Sequence, residues 1–290
     1  MKRYVVKQLI MIIPTLLLVT VISFFLIRLM PADPVDTYLV THHMEKSRHN
    51  IELVEEKFGL DEPVASQYIH WMGDIMHLDF GESFSDNQEV APMLRDAFGK
   101  TLQLALASMI WIVIVTPLLG IGAAAKPGKW IDRFTRIYCL CGTAIPAFVL
   151  GFILIRFFAV KWSILPAVSD VTLKCLILPS FTLSLSHTAY FVQMLRNGVL
   201  ENREEGYILY ARVRGISERR IFWTHLLKNS IQPLVNTAGI SIGGLIAGTV
   251  IVENVFSWPG LGRLITKAIL ARDYPVIQGY ASVRDPTSRR

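Results

Sequence analysis

The chain has 290 residues, 52% of them hydrophobic and 18% charged, with a mean hydropathy of +0.43. A soluble domain carries roughly 25% charged residues, so this deficit excludes an ordinary water-soluble globular protein and points to a membrane protein. The formal charge of +6 is modest, and its placement along the chain says more than its sum.

The N-terminal stretch MKRYVVKQLIMIIPTLLLVTVISFFLIRLMP has a basic start followed by an apolar run. A signal peptide begins in the same way. The run Leu9–Ile27 is long enough to cross a hydrocarbon core of roughly 30 Å, however, and no small-x-small cleavage site follows at once. A retained span over Leu9–Leu29 is the expectation. The segment Pro31–Lys100 is acidic, with Glu52, Glu55, Glu56, Asp61, Glu62, Asp74, Asp79, Glu82, Asp86, Glu89 and Asp96. It is too long for a plain loop and is expected to form short helices, IELVEEKFGLDEPVASQYIHWMGDIMHL among them. His42, His43, Met44 and His49 lie close together in it, with His70 and His77 further on. These side chains ligate metals, but their spacing matches no ligand pattern. No metal site is assigned, and His42, His43 and His49 stand as candidates beside the plainer reading of a solvated loop.

Four more runs have spanning length: Leu102–Ala125, Ile137–Val160, Cys175–Met194 and Leu234–Val252. Pro14, Pro146 and Pro179 fall inside or at the ends of spans, where neighbouring helices or water take up the freed backbone groups. Arg156 is near enough to the end of its span to snorkel. Cys139, Cys141 and Cys175 lie in or beside apolar runs and read as small packing residues. Cys139 and Cys141, at i and i+2 on a helix, face different sides. Ser186-His187 sits inside the fourth span with no acid partner in sequence, so pore lining or helix–helix hydrogen bonding outranks catalysis. The fifth span is rich in small residues. Gly239-x-x-x-Gly243 and Gly244-x-x-x-Gly248 permit close contact, either within the chain or with a second subunit. Candidate residues of a translocation path are His187, Asn236 and Ser241. Glu253 and Asn254 follow the fifth span, where an interfacial position is expected.

Orientation follows from Lys and Arg in the short loops. Lys2, Arg3 and Lys7, then Lys126, Lys129, Arg133 and Arg136, then the run from Arg196 to Lys228 fall on one side of a five-span protein, predicted to be the cytoplasm. The N-terminus is then cytoplasmic and the acidic segment 31–100 outside. The same count puts the tail with Arg284, Arg289 and Arg290 outside, against the charge bias. Either the tail is soluble or a sixth span is missing.

A phosphate-binding loop reads G-x-x-x-x-G-K-[ST]. The nearest stretch, AAAKPGKW from Ala123 to Trp130, has Ala in place of the first Gly and Trp in place of Ser/Thr, so it reads as a basic turn. H-E-x-x-H is absent. The chain is not read as an enzyme.

YILYARVRGISERRIFWTHLLKN, Tyr207 to Asn229, is the most polar stretch of the second half and lies between two spans. A small residue, then Gly four positions later, suits a helix–turn–helix. DNA-binding units look similar, but a segment tied to two spans cannot dock freely in a groove. Binding to anionic lipid heads or to a cytoplasmic protein partner remains.

Here the residues resemble a family. ABC importer permeases carry an "EAA" loop, E-A-A-x-x-x-G-x9-I-x-L-P. Laid on Gly215, it places its first letters on Leu209, Tyr210 and Ala211 and its last on His225, Leu227 and Lys228. Ala211, Gly215 and Leu227 match; the Glu, the first Ala, the Ile and the Pro do not. That departure is similar to the dipeptide/oligopeptide/nickel subfamily, which looks like ARxxGLSxRRxxxxHxLRNAxxP, against ARVRGISERRIFWTHLLKNSIQP here. RLMPADPVDTYL, FGLDEPVASQYIHWMGDIMHLDFGESF and IVENVFSWPGLGRLITKAILARDYPVIQGY resemble the same subfamily, so the resemblance covers nearly the whole chain. It implies an all-α integral membrane protein, a type I ABC importer permease bundle, as one domain over 1–290 with a coupling loop over 195–232. The family usually has six spans, with a last helix after DYPVIQGY, and this chain passes almost directly to SVRDPTSRR. Five spans are therefore expected, the sixth having been lost.

The resemblance further implies a second permease subunit, two ATPase subunits and an extracytoplasmic solute-binding protein as partners. ATP and Mg would be held by the ATPases and no cofactor by this chain. A short helix around Glu204–Gly215 would dock on an ATPase, with Glu204, Glu205, Tyr210, Ala211, Arg214 and Gly215 as coupling residues. The cargo is a nickel or other metal chelate or a peptide, with HLDFGESF and the external histidines leaning towards metal. A stand-alone channel or secondary transporter is the alternative. It predicts an inverted repeat, and none is evident.

Overall fold

The computed structural model describes residues 14, 17–18, 20–22, 24–25, 33–77, 79–166 and 172–283. The expected first span, Leu9–Leu29, falls largely outside the described residues, as do Lys2, Arg3, Lys7 and the tail from Arg284; the described positions from Pro14 to Phe25 are helical. The described residues are almost entirely helical, apart from one isolated bridge between Glu82 and Glu89. They divide into two compact units, Met1–Gly99 with Pro259–Arg290, and Lys100–Trp258.

In the first unit the acidic segment forms three short helices, α1 (Pro34–Thr41), α2 (Arg48–Phe58) and α3 (Val64–Met76). Asp33 caps α1, its carboxylate accepting from Val35 N at 2.9 Å, and Pro34 occupies the first turn, where a missing N–H costs nothing. Ser47 caps α2. Gly59 ends it at φ 59°, a left-handed turn that glycine enters without penalty. Val35, Leu39 and Val54 bury together. Tyr38, Phe58 and Phe84 meet edge-on or tilted at 4.6–5.6 Å between ring centroids, a geometry the aromatic quadrupole favours. The unit also holds α11 (Leu261–Ala271) and α12 (Tyr274–Val283), with α4 to α10 between them and α3 in the chain. Asp273, between these two helices, is buried. Its carboxylate accepts from Ser83 Oγ at 2.5 Å, Phe84 N at 3.1 Å and Ser85 N at 3.2 Å. It thereby binds the GESFS loop to a residue 190 positions away.

α4 (Val90–Ala125) has 36 residues, about 54 Å at 1.5 Å per residue. Helix therefore starts well before Leu102, where the apolar run begins. α5 (Trp130–Ala144) follows a tight turn at Gly128, whose N–H donates to the Asp132 carboxylate at 2.8 Å. The expected single span Ile137–Val160 is a correction. The chain breaks at Ile145-Pro146, and α5 meets α6 (Ala147–Leu154) and the π-helical turn Ile155–Lys161 at 110°. The proline ring excludes the α region for the residue before it, and Ile145 is extended at φ −86°, ψ 119°.

α7 (Leu173–Asn202) contains the expected span Cys175–Met194, and 67% of its most apolar window is buried inside the protein. Its buried hydroxyls are satisfied locally: Thr182 bonds Leu178 O, Thr188 bonds Ser184 O, and Ser180 accepts from the Trp111 indole at 3.1 Å. This back-bonding lets Ser and Thr sit in an apolar helix. After α8 (Gly206–Val213), α9 (Glu218–Ile221) and the π turn Phe222–Leu226 comes α10 (Leu227–Val255); the expected straight span Leu234–Val252 lies in it but bends by 53° between Gly239 and Ser241. Gly142 sets the α5–α7 approach, since a Cβ there would lie 2.6 Å from Ala189 Cβ. Among the described residues, α4 and α7 alone are long and apolar enough to cross a membrane; counting each bent pair as one span raises this to four.

Glu253 is a second correction. It lies not at an interface but inside α10, fully buried, and its Oε1 accepts from Thr101 Oγ1 at 2.6 Å. The turn after it is held by Trp258, whose indole donates to Lys100 O at 2.9 Å.

Candidate functional site

The polar stretch between α7 and α10 folds as a short helix with a second turn packed on it. α7 ends at Asn202, and the exposed Glu204 and Glu205 make the turn. The helix itself is α8, Gly206–Val213, shorter than the Glu204–Gly215 expected from sequence. Ile208 and Ala211, three apart, face inward and bury with Ile221 and Leu226. Leu209, Tyr210 and Val213 point the other way, 63%, 64% and 78% exposed. Ala211 must be small because it sits between α8 and the turn below it. Gly215 ends the unit at φ 73°, with Ile216 N donating to Ala211 O. A side chain disfavours that left-handed conformation, so the sequence pattern Ala-x-x-x-Gly marks one buried contact and one turn.

Two polar links tie this unit to both long helices, and a third joins those helices to each other. Tyr207 Oη donates to Asn202 Oδ1 at 3.1 Å and accepts from Asn229 Nδ2 at 2.9 Å, while Asn202 Nδ2 donates to Ser230 Oγ at 3.1 Å. Arg212 pairs with Glu218 at 2.6 Å across the turn; its guanidinium bond draws the exposed Glu218 carboxyl below the ordinary range. Arg214 lies over the Tyr210 ring, 5.6 Å from its centroid. Of the six expected coupling residues, Ala211 is buried and Gly215 makes the turn, while Glu204, Glu205, Tyr210 and Arg214 are exposed.

The expected path residues are not gathered at one point. His187 packs towards α10, its Cε1 3.4 Å from where a Gly244 Cβ would be. Asn236 is exposed on α10, and Ser241 Oγ bonds back to Thr237 O at 3.1 Å. What sequence reading missed is a stripe. Ser186, Tyr190, Gln193 and Asn197 are all exposed on α7, at helical spacing along one face. On α10, Gln232, Asn236, Gly239 and Gly243 make a matching exposed polar and small-residue row. A cavity of about 420 Å³ lies between these helices, lined by Tyr190, Gln193, Met194, Asn197, Ser230 and Pro233 among others. The signal was present as polar residues three and four apart within an apolar run. The two glycine pairs also separate. Gly244 and Gly248 face His187 and Leu183 of α7, whereas nothing lies within 4 Å of a Cβ at Gly239 or Gly243.

Among the described residues, the candidate histidines of the acidic segment are not gathered into a site. His42 stacks on Tyr38, with centroids 4.1 Å apart, His43 takes φ 53° in the turn after α1, and His49 lies in α2. Among the described residues no three His, Cys, Asp or Glu side chains are placed to hold a metal.

Residues 116–283 match the family described as binding-protein-dependent transport system inner membrane component, and residues 1–105 match the N-terminal region of such a membrane component. The glutathione transport system permease protein GsiC of Escherichia coli (strain K12) is 37% identical over 96% of this chain and 90% of its own length. That of Salmonella typhimurium (strain LT2) is 36% identical over the same shares. A solved structure of the MetNI methionine ABC transporter aligns over 61% of this chain and 81% of the matched chain, at 20% identity and a TM-score of 0.48. With helices of spanning length and these sequence matches, the chain belongs to the family of binding-protein-dependent transport system inner membrane components, the multi-pass permease subunits of ABC importers.

Proposed function

We propose that this chain forms one half of the translocation path of a peptide importer. The observation that carries this reading is the exposed polar stripe on α7, Ser186 to Asn197, beside the open Gly239 and Gly243 face of α10. A polar face on a membrane helix is costly against lipid, and an open row of small residues invites close helix contact. Both are satisfied by a second permease subunit packing across a solute path.

α8 serves as the coupling helix. Leu209, Tyr210 and Val213 present an apolar face to an ATPase subunit, and the links through Tyr207, Asn202 and Asn229 carry its displacement to α7 and α10 as a rigid movement. ATP and Mg belong to the ATPase pair. The N-terminus lies in the cytoplasm, on the basic side, and the acidic helices α1–α3 lie outside, where they meet the solute-binding protein.

The cargo is of the peptide class. The relatives carry glutathione permease names, which favours a small peptide over a nickel or other metal chelate. The test is uptake of labelled glutathione and dipeptides in a strain lacking this chain, complemented by wild type or by Asn197→Leu. Uptake restored by wild type and strongly reduced by Asn197→Leu is expected. Wild-type restoration of nickel uptake alone would sink the peptide reading, and full uptake by the variant would sink the path. Purification from native membranes without a co-purifying ATPase would remove the coupling role.

A further inference from the structure

A second cavity of about 420 Å³ lies beside the α5–α7 contact. Arg136, Leu140 and Thr143 of α5 line one side; Arg196 of α7 lines the other, with Gln193 and Asn197, which also border the first cavity. Asp132 organises it from beneath. This fully buried carboxylate accepts from Arg196 Nε at 2.6 Å and Nη2 at 3.2 Å, and from Arg136 Nη2 at 3.0 Å. One carboxylate thus serves two guanidiniums, and the cluster keeps a net positive charge. A guanidinium has five N–H donors, so both arginines retain donors after these bonds. No carboxylate lines the cavity.

Such a lining favours an anion with several acceptor oxygens, held by planar forks. The neighbouring surface says what accompanies the anion. Trp130, Phe134, Ile137 and Leu140 are exposed on α5, spaced by four, three and three residues, so they make one apolar stripe. Leu140 belongs to both the stripe and the cavity. The stripe suits an acyl chain, and the donors along its edge suit the phosphate of the same lipid. Basic pockets between spanning helices take lipid head groups in this way. We propose that the Arg136–Arg196 cavity is a binding site for a phosphate group, supplied by an anionic phospholipid whose acyl chain lies along the α5 stripe. Arg136, its side chain 64% exposed, makes the contact, and Arg196, 15% exposed, is held by Asp132.

The test is native mass spectrometry of the full chain in detergent with equal phosphatidylglycerol and phosphatidylethanolamine. Wild type should retain phosphatidylglycerol preferentially, and Arg136→Gln should lower that preference about fivefold. Lys126→Gln removes a positive charge outside the cavity and should leave that preference intact. Equal loss in Lys126→Gln, or no loss in Arg136→Gln, overturns the site. Inorganic phosphate distinguishes the sources. If it displaces the retained lipid from wild type, the phosphate site stands with lipid as its source. If it binds wild type but not Arg136→Gln while no lipid is retained, lipid is overturned as the source. Transport is not the readout, so the outcome is separate from that of the importer reading.

Discussion

Thr101 Oγ1 donates to the buried Glu253 Oε1 at 2.6 Å, joining α4 to the end of α10 across 152 residues of sequence. A carboxylate taken out of water needs its hydrogen bonds, because the interior has nothing else to solvate it. Thr101→Val keeps the shape and removes the donor. It should lower stability by roughly 1–3 kcal/mol, and Thr101→Ser should recover most of the loss. Thermal unfolding in detergent measures this; equal midpoints for Val and wild type would mean that the bond contributes nothing.

Asp273 holds the GESFS loop through Ser83 Oγ and the amides of Phe84 and Ser85. Asp273→Ala should free that loop and expose residues 81–88 to protease, while Asp273→Asn, which keeps an acceptor, should cut more slowly. Unchanged cleavage in the alanine variant would show that the loop is held by its aromatic packing instead.

Gly215 takes φ 73°, and its N–H donates to Arg212 O at 2.9 Å. Asn enters left-handed conformations more readily than Ala, and Pro can neither reach that φ nor donate. Uptake should fall in the order Gly, Asn, Ala, Pro, with transport abolished in Gly215→Pro and the protein still in the membrane. Normal uptake by the proline variant would remove the coupling role of this turn.

Ala211 is buried against Ile221 and Leu226. Ala211→Leu should lever α8 off the turn beneath it at roughly 1–3 kcal/mol. By contrast, Leu209→Asp with Val213→Asp changes only exposed residues. The double variant should fold normally yet lose ATPase stimulation by solute. A loss of thermal stability equal to that of Ala211→Leu would mean that the outer face is structural.

The Arg212–Glu218 pair is exposed, and exposed pairs contribute little. The Glu218 carboxyl is lowered by the Arg212 hydrogen bond first. Whatever it contributes is present above the free carboxyl range and lost as pH falls through the lowered value. Glu218→Gln should leave the unfolding midpoint unchanged at neutral pH, and a clear drop there would reveal a larger role.

Spanning helices, basic segments and the Ala211–Gly215 unit were legible because each rests on local chemistry. An apolar run of sufficient length declares itself, and a glycine four residues after a small residue implies a turn. The break at Ile145-Pro146 was half legible: the proline was visible, but whether neighbours straighten or release the helix depends on packing. The α7 stripe was not legible because Tyr190, Gln193 and Asn197 are neutral, and their sequence spacing does not say whether that face of the helix is buried or open. The GxxxG pairs are alike in sequence and were separated only by their neighbours.

By itself, then, the amino-acid sequence determined that this is an all-helical membrane permease with a polar helix–turn loop between two spans, since hydropathy, charge bias and turn chemistry act over short distances. Only the tertiary structure decided which polar groups are partnered. Asp132 with Arg196, Thr101 with Glu253 and Ser83 with Asp273 are separated by 64, 152 and 190 residues. A buried charge is tolerated only when distant helices bring its partner to it, and no local pattern records which helix that will be.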